Sequence, residues 1–113
     1  MASNQEFVDF VTNQIISETE VVAKKMFGEY GVFCGTKIFA LICDNQLFIK
    51  PTNAGRTFIG EPIEAPAYTG AKPSFLIEEH LIEDSDWLSE LVRISVLELP
   101  EPKPRKKKKK SSK

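Results

Sequence analysis

Phe7, Val8, Val11, Ile15 and Ile16 recur at helical spacing, with polar Asp9, Thr12, Asn13 and Gln14 between them. That spacing predicts an amphipathic N-terminal helix. Ser3 followed by Glu6 has the form of a capping box, in which a hydroxyl and a carboxylate satisfy amides reciprocally at the helix start. From Val21 the pattern shortens to that of strands. Val21 to Phe27 is the first, broken by Gly28-Glu29-Tyr30-Gly31, and Val32-Phe33-Cys34 is a short second. Gly35-Thr36 supplies a tight turn into Lys37 to Cys43, which is apolar on both faces, as a central strand covered on both sides would be. Asp44-Asn45 tolerates the positive φ of a two-residue hairpin, and Gln46 to Lys50 returns antiparallel until Pro51, which has no amide hydrogen for the ladder.

The second half continues in the same alternation of elements. Thr52 to Phe58 predicts a short helix ended by Gly60. Glu61 to Lys72, with Pro62, Pro66 and Gly70, reads as an extended loop, and Pro73 to Glu79 as a last strand. Asp84 or Ser85 caps a final helix whose apolar stripe is Trp87, Leu88, Leu91 and Val92, extended by Val96 and Leu99. The expected fold class is therefore α+β: an N-terminal helix, an antiparallel sheet of about five strands with a short connector helix, and a C-terminal helix. In the central strand, strict alternation sends Phe39, Leu41 and Cys43 to one face and Ile38, Ala40 and Ile42 to the other. Either one helix lies on each face, or the uncovered face meets another chain, and the second alternative makes a homodimer the expected state.

Charge divides the chain in two. Of 113 residues, 15 are Lys or Arg and 16 are Asp or Glu, a formal net charge of −1. Residues 100–113 hold eight cations and one acid, 8 − 1 = +7, so residues 1–99 carry 7 − 15 = −8. An acidic domain over 1–99 and a disordered Pro/Lys-rich tail over 100–113 are the expected organisation. Pro100, Pro102 and Pro104 favour an extended linker, and Lys106 to Lys110 form a run of like charges. Lys103, Arg105, Lys106, Lys107, Lys108, Lys109, Lys110 and Lys113 form a candidate nonspecific phosphate-binding arm. No aromatic residue interleaves them, so base stacking is not expected. Two other roles stand beside this one: a solubilising tail, or a tail that folds back on its own acidic body.

Other chemistries find little support. No apolar stretch reaches the ~18 residues of a membrane span, and the start shows no signal-peptide pattern, so a cytoplasmic, non-membrane protein is expected. Cys34 and Cys43 would sit roughly 20 Å apart along a hairpin at ~3.3 Å per residue, which predicts buried free thiols. His80, the single histidine, reads as a strand-end residue partly in solvent. Two distant cysteines and one histidine do not make a structural zinc site, so no metal is expected. Gly28-Glu-Tyr-Gly31 lacks the lysine of a phosphate-binding loop. With no convergent acid, base or nucleophile set, neither an enzyme nor a cofactor is expected.

Several segments resemble the N-terminal domain of the TfoX/Sxy family. They are Met1 to Val11, Val22 to Phe33, Phe39-Ala-Leu-Ile, Leu47-Phe-Ile-Lys50, then Ala67-Tyr68, Lys72-Pro73 and Trp87 to Ile94. The most specific is Lys25-Met-Phe-Gly-Glu-Tyr-Gly31, whose motif residues are Met26, Phe27, Gly28, Tyr30 and Gly31. The resemblance implies a small α+β domain, often dimeric, in non-enzymatic regulators of natural competence that act with other transcription factors. Glu29 stands where glycine is usual, Lys24 and Lys25 where arginine is commoner, and the lysine tail where longer members have a second domain. Two readings of the motif stay open. In one, its glycines serve turns and its apolar residues the core. In the other, Lys24, Lys25, Tyr30 and Lys50 form a basic–aromatic surface for a partner. The expected function is a regulatory adaptor working through protein contacts, with a tail of nonspecific nucleic-acid affinity. The alternative is a dimeric protein-binding or chaperone-like module with an incidental tail.

Overall fold

The N-terminal periodicity is realised as α1, Gln5–Gln14, in a computed structural model of the chain that describes residues 3–26 and 28–100. Val8, Val11 and Ile15 are buried, but Ile16 is 69% exposed, because the helix ends at Gln14 and Ile16 leaves its stripe. The cap is also one residue later than the capping box predicts. Asn4, not Ser3, is the N-cap, its Oδ1 accepting from the Phe7 N–H at 2.8 Å. The Ser3 hydroxyl is used elsewhere, accepting from the Asn45 N–H at 2.9 Å.

Four strands follow: β1 Val21–Met26, β2 Glu29–Cys34, β3 Lys37–Cys43 and β4 Gln46–Ile49. The glycine segment does not interrupt the ladder as the sequence suggests. Met26 pairs with Glu29 around a tight reversal with Gly28 at φ 85°, so β2 starts at Glu29 and not at Val32. The expected extension of β1 to Phe27 lies outside the described residues. Asp44 and Asn45 take φ of 54° and 57°, the conformation the β3–β4 hairpin requires. Then come α2 Asn53–Ile59, capped by Thr52 and ended by Gly60, β5 Ile63–Pro66, β6 Pro73–Ile77, α3 Glu79–Ile82 and α4 Ser85–Glu98. Asp84 is the N-cap of α4. The sheet has six strands, not five, in the antiparallel order β1-β2-β3-β4-β6-β5. The added strand, β5, falls inside the expected loop; it is an edge strand, where Pro66 leaves no interior ladder bond unmade. His80 lies in α3, exposed, and not at a strand end.

The helices occupy one side of this sheet. Val8 and Val11 of α1 and Leu88, Leu91 and Val92 of α4 share a single buried cluster with Tyr30, Val32, Ala40, Ile42, Leu47, Ile49, Phe75 and Ile77. Phe58 and Ile59 of α2 pack against it. These strand residues are register partners of one another, Tyr30 with Ile42, Val32 with Ala40, Ile42 with Leu47 and Ile49 with Phe75, and so share one face. Strict alternation in β3 fails at one point. Val32 pairs with Ala40 but Phe33 with Ile38, which leaves Phe39 as an extra residue in a β-bulge. Phe39 thereby joins Ala40 and Ile42 in the helix-covered core, fully buried, and Ile38 joins Leu41 on the opposite face. Burying a side chain of this size contributes roughly 1.5–3 kcal/mol.

The cap assignment is directly testable. Asn4→Ala is expected to lower unfolding free energy by about 1 kcal/mol. Glu6→Ala is expected to change it by less than about 0.5 kcal/mol, as measured by urea denaturation. A larger loss for Glu6→Ala than for Asn4→Ala would restore the capping box.

Candidate functional site

The Lys25–Gly31 segment spends its residues on both sides of the sheet. Tyr30 points into the helix-covered core, 7% exposed, and its hydroxyl donates to Gln5 Oε1 at 3.3 Å. Gly31 lies on the other face, beside Met26 of β1, Phe33 of its own strand and Ile38 of β3. A Cβ there would overlap the Met26 Sδ and lie 3.0 Å from Ile38 Cδ1 and 3.3 Å from Phe33 Cε1. Glycine is therefore what lets side chains from both neighbouring strands close over β2. Phe27 of the motif lies outside the described residues.

Glu29 ties this segment to the rest of the domain. Its carboxylate accepts the Ser3 N–H at 2.9 Å and the Asp44 N–H at 2.8 Å, joining the N-terminus, the start of β2 and the β3–β4 turn. Asn45 completes the clasp: its Oδ1 accepts from the Asn4 N–H at 2.9 Å. Partial burial disfavours the Glu29 carboxylate, but the backbone N–H donors from Asp44 and Ser3 outweigh it and hold the carboxyl below its ordinary range. Burial raises the nearby Cys43 thiol, and the Glu29 and Asp44 carboxylates add to the rise. Cys34 and Cys43 are both free and buried, as expected. Among the described residues, no group of three or more His, Cys, Asp or Glu side chains is placed to hold a metal ion. No helix among them is long and apolar enough to cross a membrane.

The face away from the helices is the main surface this architecture produces. By register it carries Val22, Met26, Phe33, Ile38, Leu41 and Leu76, all half-buried, around Phe48 and Cys43, which are 4% and 7% exposed. Lys24 stands on it with Nζ 5.3 Å from the Phe33 ring centroid, a cation–π arrangement. Glu29 is the one carboxylate among the described strand positions of this face, and it is turned into the clasp. Its exposed rim reaches Ile63 of β5, 46% exposed and paired with Leu76.

The structure distributes Lys24, Lys25, Tyr30 and Lys50 over different places. Lys24 is on the open face, and Lys25, the register partner of the core residue Tyr30, is exposed on the opposite one. Lys50 follows β4, so three strand spacings, roughly 14 Å, separate it from Lys24. Lys103, Arg105, Lys106 to Lys110 and Lys113 lie outside the described residues. A second feature was invisible in the sequence. A groove of about 670 Å³ runs between the α1–β1 connection and α4, with Cys34 and Val92 in its lining. Ile16 and Leu97, 69% and 71% exposed, line it with Glu18 and Asp86, and the one cation in its lining, Arg93, is paired with Glu90.

Comparison with known proteins places this architecture. The sequence profile of the TfoX N-terminal domain matches residues 13–99. Over 103 residues the chain is 35% identical to an uncharacterized 12.7 kDa protein from the trpE 5′ region of Spirochaeta aurantia, across 91% of this chain and 89% of that one.

The clasp makes a pH prediction. Because the Glu29 carboxyl is held below its ordinary value, its contribution is fully present above the ordinary carboxylate range and is lost as pH falls through the lowered value. Glu29→Gln is expected to be less stable at neutral pH by roughly 1–2 kcal/mol, with partial exposure keeping the figure modest. Its stability should also fall less than that of the native chain on acidification from about pH 5 to pH 3. Parallel acid profiles in urea denaturation would contradict the clasp.

Proposed function

The chain belongs to the TfoX N-terminal domain family, and on that footing we propose that it is a non-enzymatic regulatory or adaptor protein of the competence-regulator type. In this reading it is a cytoplasmic protein that works through protein contacts, and its basic C-terminal segment adds nonspecific affinity for nucleic acid. The observation that carries the reading is where the charge changes sign. The domain of −8 closes at Leu99, which caps α4, and the cations begin at Lys103. A field of −8 repels phosphate, so affinity for nucleic acid has to come from the basic residues that follow Leu99 in the sequence. The acid-edged groove beside α4, flanked by the exposed Ile16 and Leu97, supports a separate contact for a protein segment that is apolar and basic.

A second reading is favoured by the helix-free apolar sheet face: a protein-binding module in which the tail contributes only solubility. Fluorescence anisotropy with a duplex DNA probe separates the two. The full chain and a chain ending at Leu99 are compared across a salt series. The regulatory reading predicts binding by the full chain with a slope of log K against log salt of roughly −5 to −7, for six to eight phosphate contacts. It predicts loss of that binding on truncation. No binding by the full chain at the lowest salt, or equal binding by both chains, would remove the nucleic-acid role and leave the second reading.

A further inference from the structure

We propose that residues 102–110, the basic segment that follows Leu99, lie along the groove beside α4 of their own chain, with their cations facing Glu18, Glu90 and Asp86. The inference names an occupant for that groove and does not depend on nucleic-acid binding. Three observations lead to it, beginning with charge. The lining holds Glu18, Asp86 and Glu90 against Arg93 alone, 1 − 3 = −2, and Arg93 is already paired with Glu90. Residues 100–113 carry 8 − 1 = +7. The two charges attract, and the covalent connection keeps the segment near the groove at an effective concentration on the order of mM.

Order is the second. Along α4 the lining passes from Leu97 and Val96 through Val92 to Glu90 and Asp86, apolar at the C-terminal end of the helix and acidic toward its start. The chain leaves that C-terminal end extended, with Leu99 at φ −71° and ψ 143°. Pro102 and Pro104 then precede Lys106 to Lys110 in the sequence. A segment that turns back along the groove therefore brings its prolines to Val96 and Leu97 and its lysines to the acids. Ile16, whose N–H donates to Ser89 Oγ at 2.7 Å, sits toward the acidic end, where lysine stems cover it while their ammonium groups reach the carboxylates.

Reach is the third. Asp86 and Leu97 are 97 − 86 = 11 residues apart on α4, roughly 17 Å at ~1.5 Å per residue. A proline-rich extended chain rises ~3.1 Å per residue, so about six residues span the groove after a short reversal. Lys106, 106 − 99 = 7 residues past Leu99, comes level with Glu90, and the lysines after it with Asp86. Each such ion pair is exposed and weak, so the contact needs the whole run of cations and is screened by salt. The groove and a phosphate backbone draw on the same lysines, so a docked segment offers fewer of them to nucleic acid.

Methyl NMR of the full chain, from about 20 to 500 mM salt, tests this. The comparison is with the variant Lys106→Gln, Lys107→Gln, Lys108→Gln, Lys109→Gln and Lys110→Gln, whose substitutions all lie beyond α4. At low salt the methyl resonances of Ile16, Val96 and Leu97 should differ between the two chains at least about 3-fold more than those of Leu41 and Leu76, and the difference should fade as salt rises. It should not depend on protein concentration, as befits a contact within one chain. Glu18→Gln with Asp86→Asn should reduce it by about half or more, while Glu61→Gln with Glu79→Gln, the same charge change outside the groove, should leave it in place. No difference at Ile16, Val96 and Leu97 at the lowest salt overturns the proposal. So does a difference that grows with protein concentration. Equal loss from the two acid pairs also overturns it, since the attraction would then belong to the acidic domain as a whole and not to the groove.

Discussion

Phe39 has no register partner in β2, and the two sides of the sheet follow from that one extra residue. With an uninterrupted pleat, Phe39 would stand with Leu41 and Cys43, and Ile38 with Ala40 and Ile42. The bulge reverses both assignments. The helix-covered core gains a phenylalanine, fully buried among the side chains of α1 and α4, and the other face receives the smaller Ile38 beside Gly31. Interior packing tolerates neither a void nor an intruding ring, so the Phe39 side chain is part of the close-packed layer beneath the helices. The domain is one-sided. All the helical cover goes to one face, and an apolar face is left over.

The Lys25–Gly31 segment lies where those two faces meet. Tyr30 belongs to the core and Gly31 to the open side, so adjacent residues serve opposite layers. Glu29 holds their position by drawing the N-terminus and the β3–β4 turn onto the start of β2. Glu98 makes a similar long-range contact at the other end of the domain, its carboxylate accepting from the Asn53 and Ala54 N–H groups at 2.8 and 2.9 Å. These backbone donors, foremost Ala54, hold the Glu98 carboxyl below its ordinary range. An acidic chain thus uses some of its carboxylates to brace its own backbone.

The fold class was legible in the sequence because α1, α4 and the Asp44-Asn45 hairpin carry local signals: a 3.6-residue period, a capping Asp84 and two residues suited to positive φ. The sixth strand was not, because Pro62 and Pro66 argue against a strand everywhere except at an edge, and edge position is a tertiary fact. The bulge at Phe39 leaves no mark in a run as uniformly apolar as Lys37 to Cys43. The cap moved from Ser3 to Asn4 because a distant partner, Asn45, takes the Ser3 hydroxyl. Lys24 and Lys25 are sequence neighbours that the pleat sends to opposite faces, and Tyr30 of the same candidate surface turns into the core. Glu29 stands out in the sequence only as a departure from the family's glycine, yet its carboxylate makes the clasp. Its partners lie 15 and 26 residues away, beyond the reach of local pattern.

Whether the helices cover one face of the sheet alone can be measured in solution. Relaxation of methyl protons by a paramagnetic co-solvent, recorded on the full chain, reads the two faces separately. The methyl groups of Ile38, Leu41 and Leu76 should relax faster than those of Ile42, Leu47, Ile49 and Leu88, which lie in the helix-covered core. Equal relaxation of the two sets would contradict a sheet covered on one face.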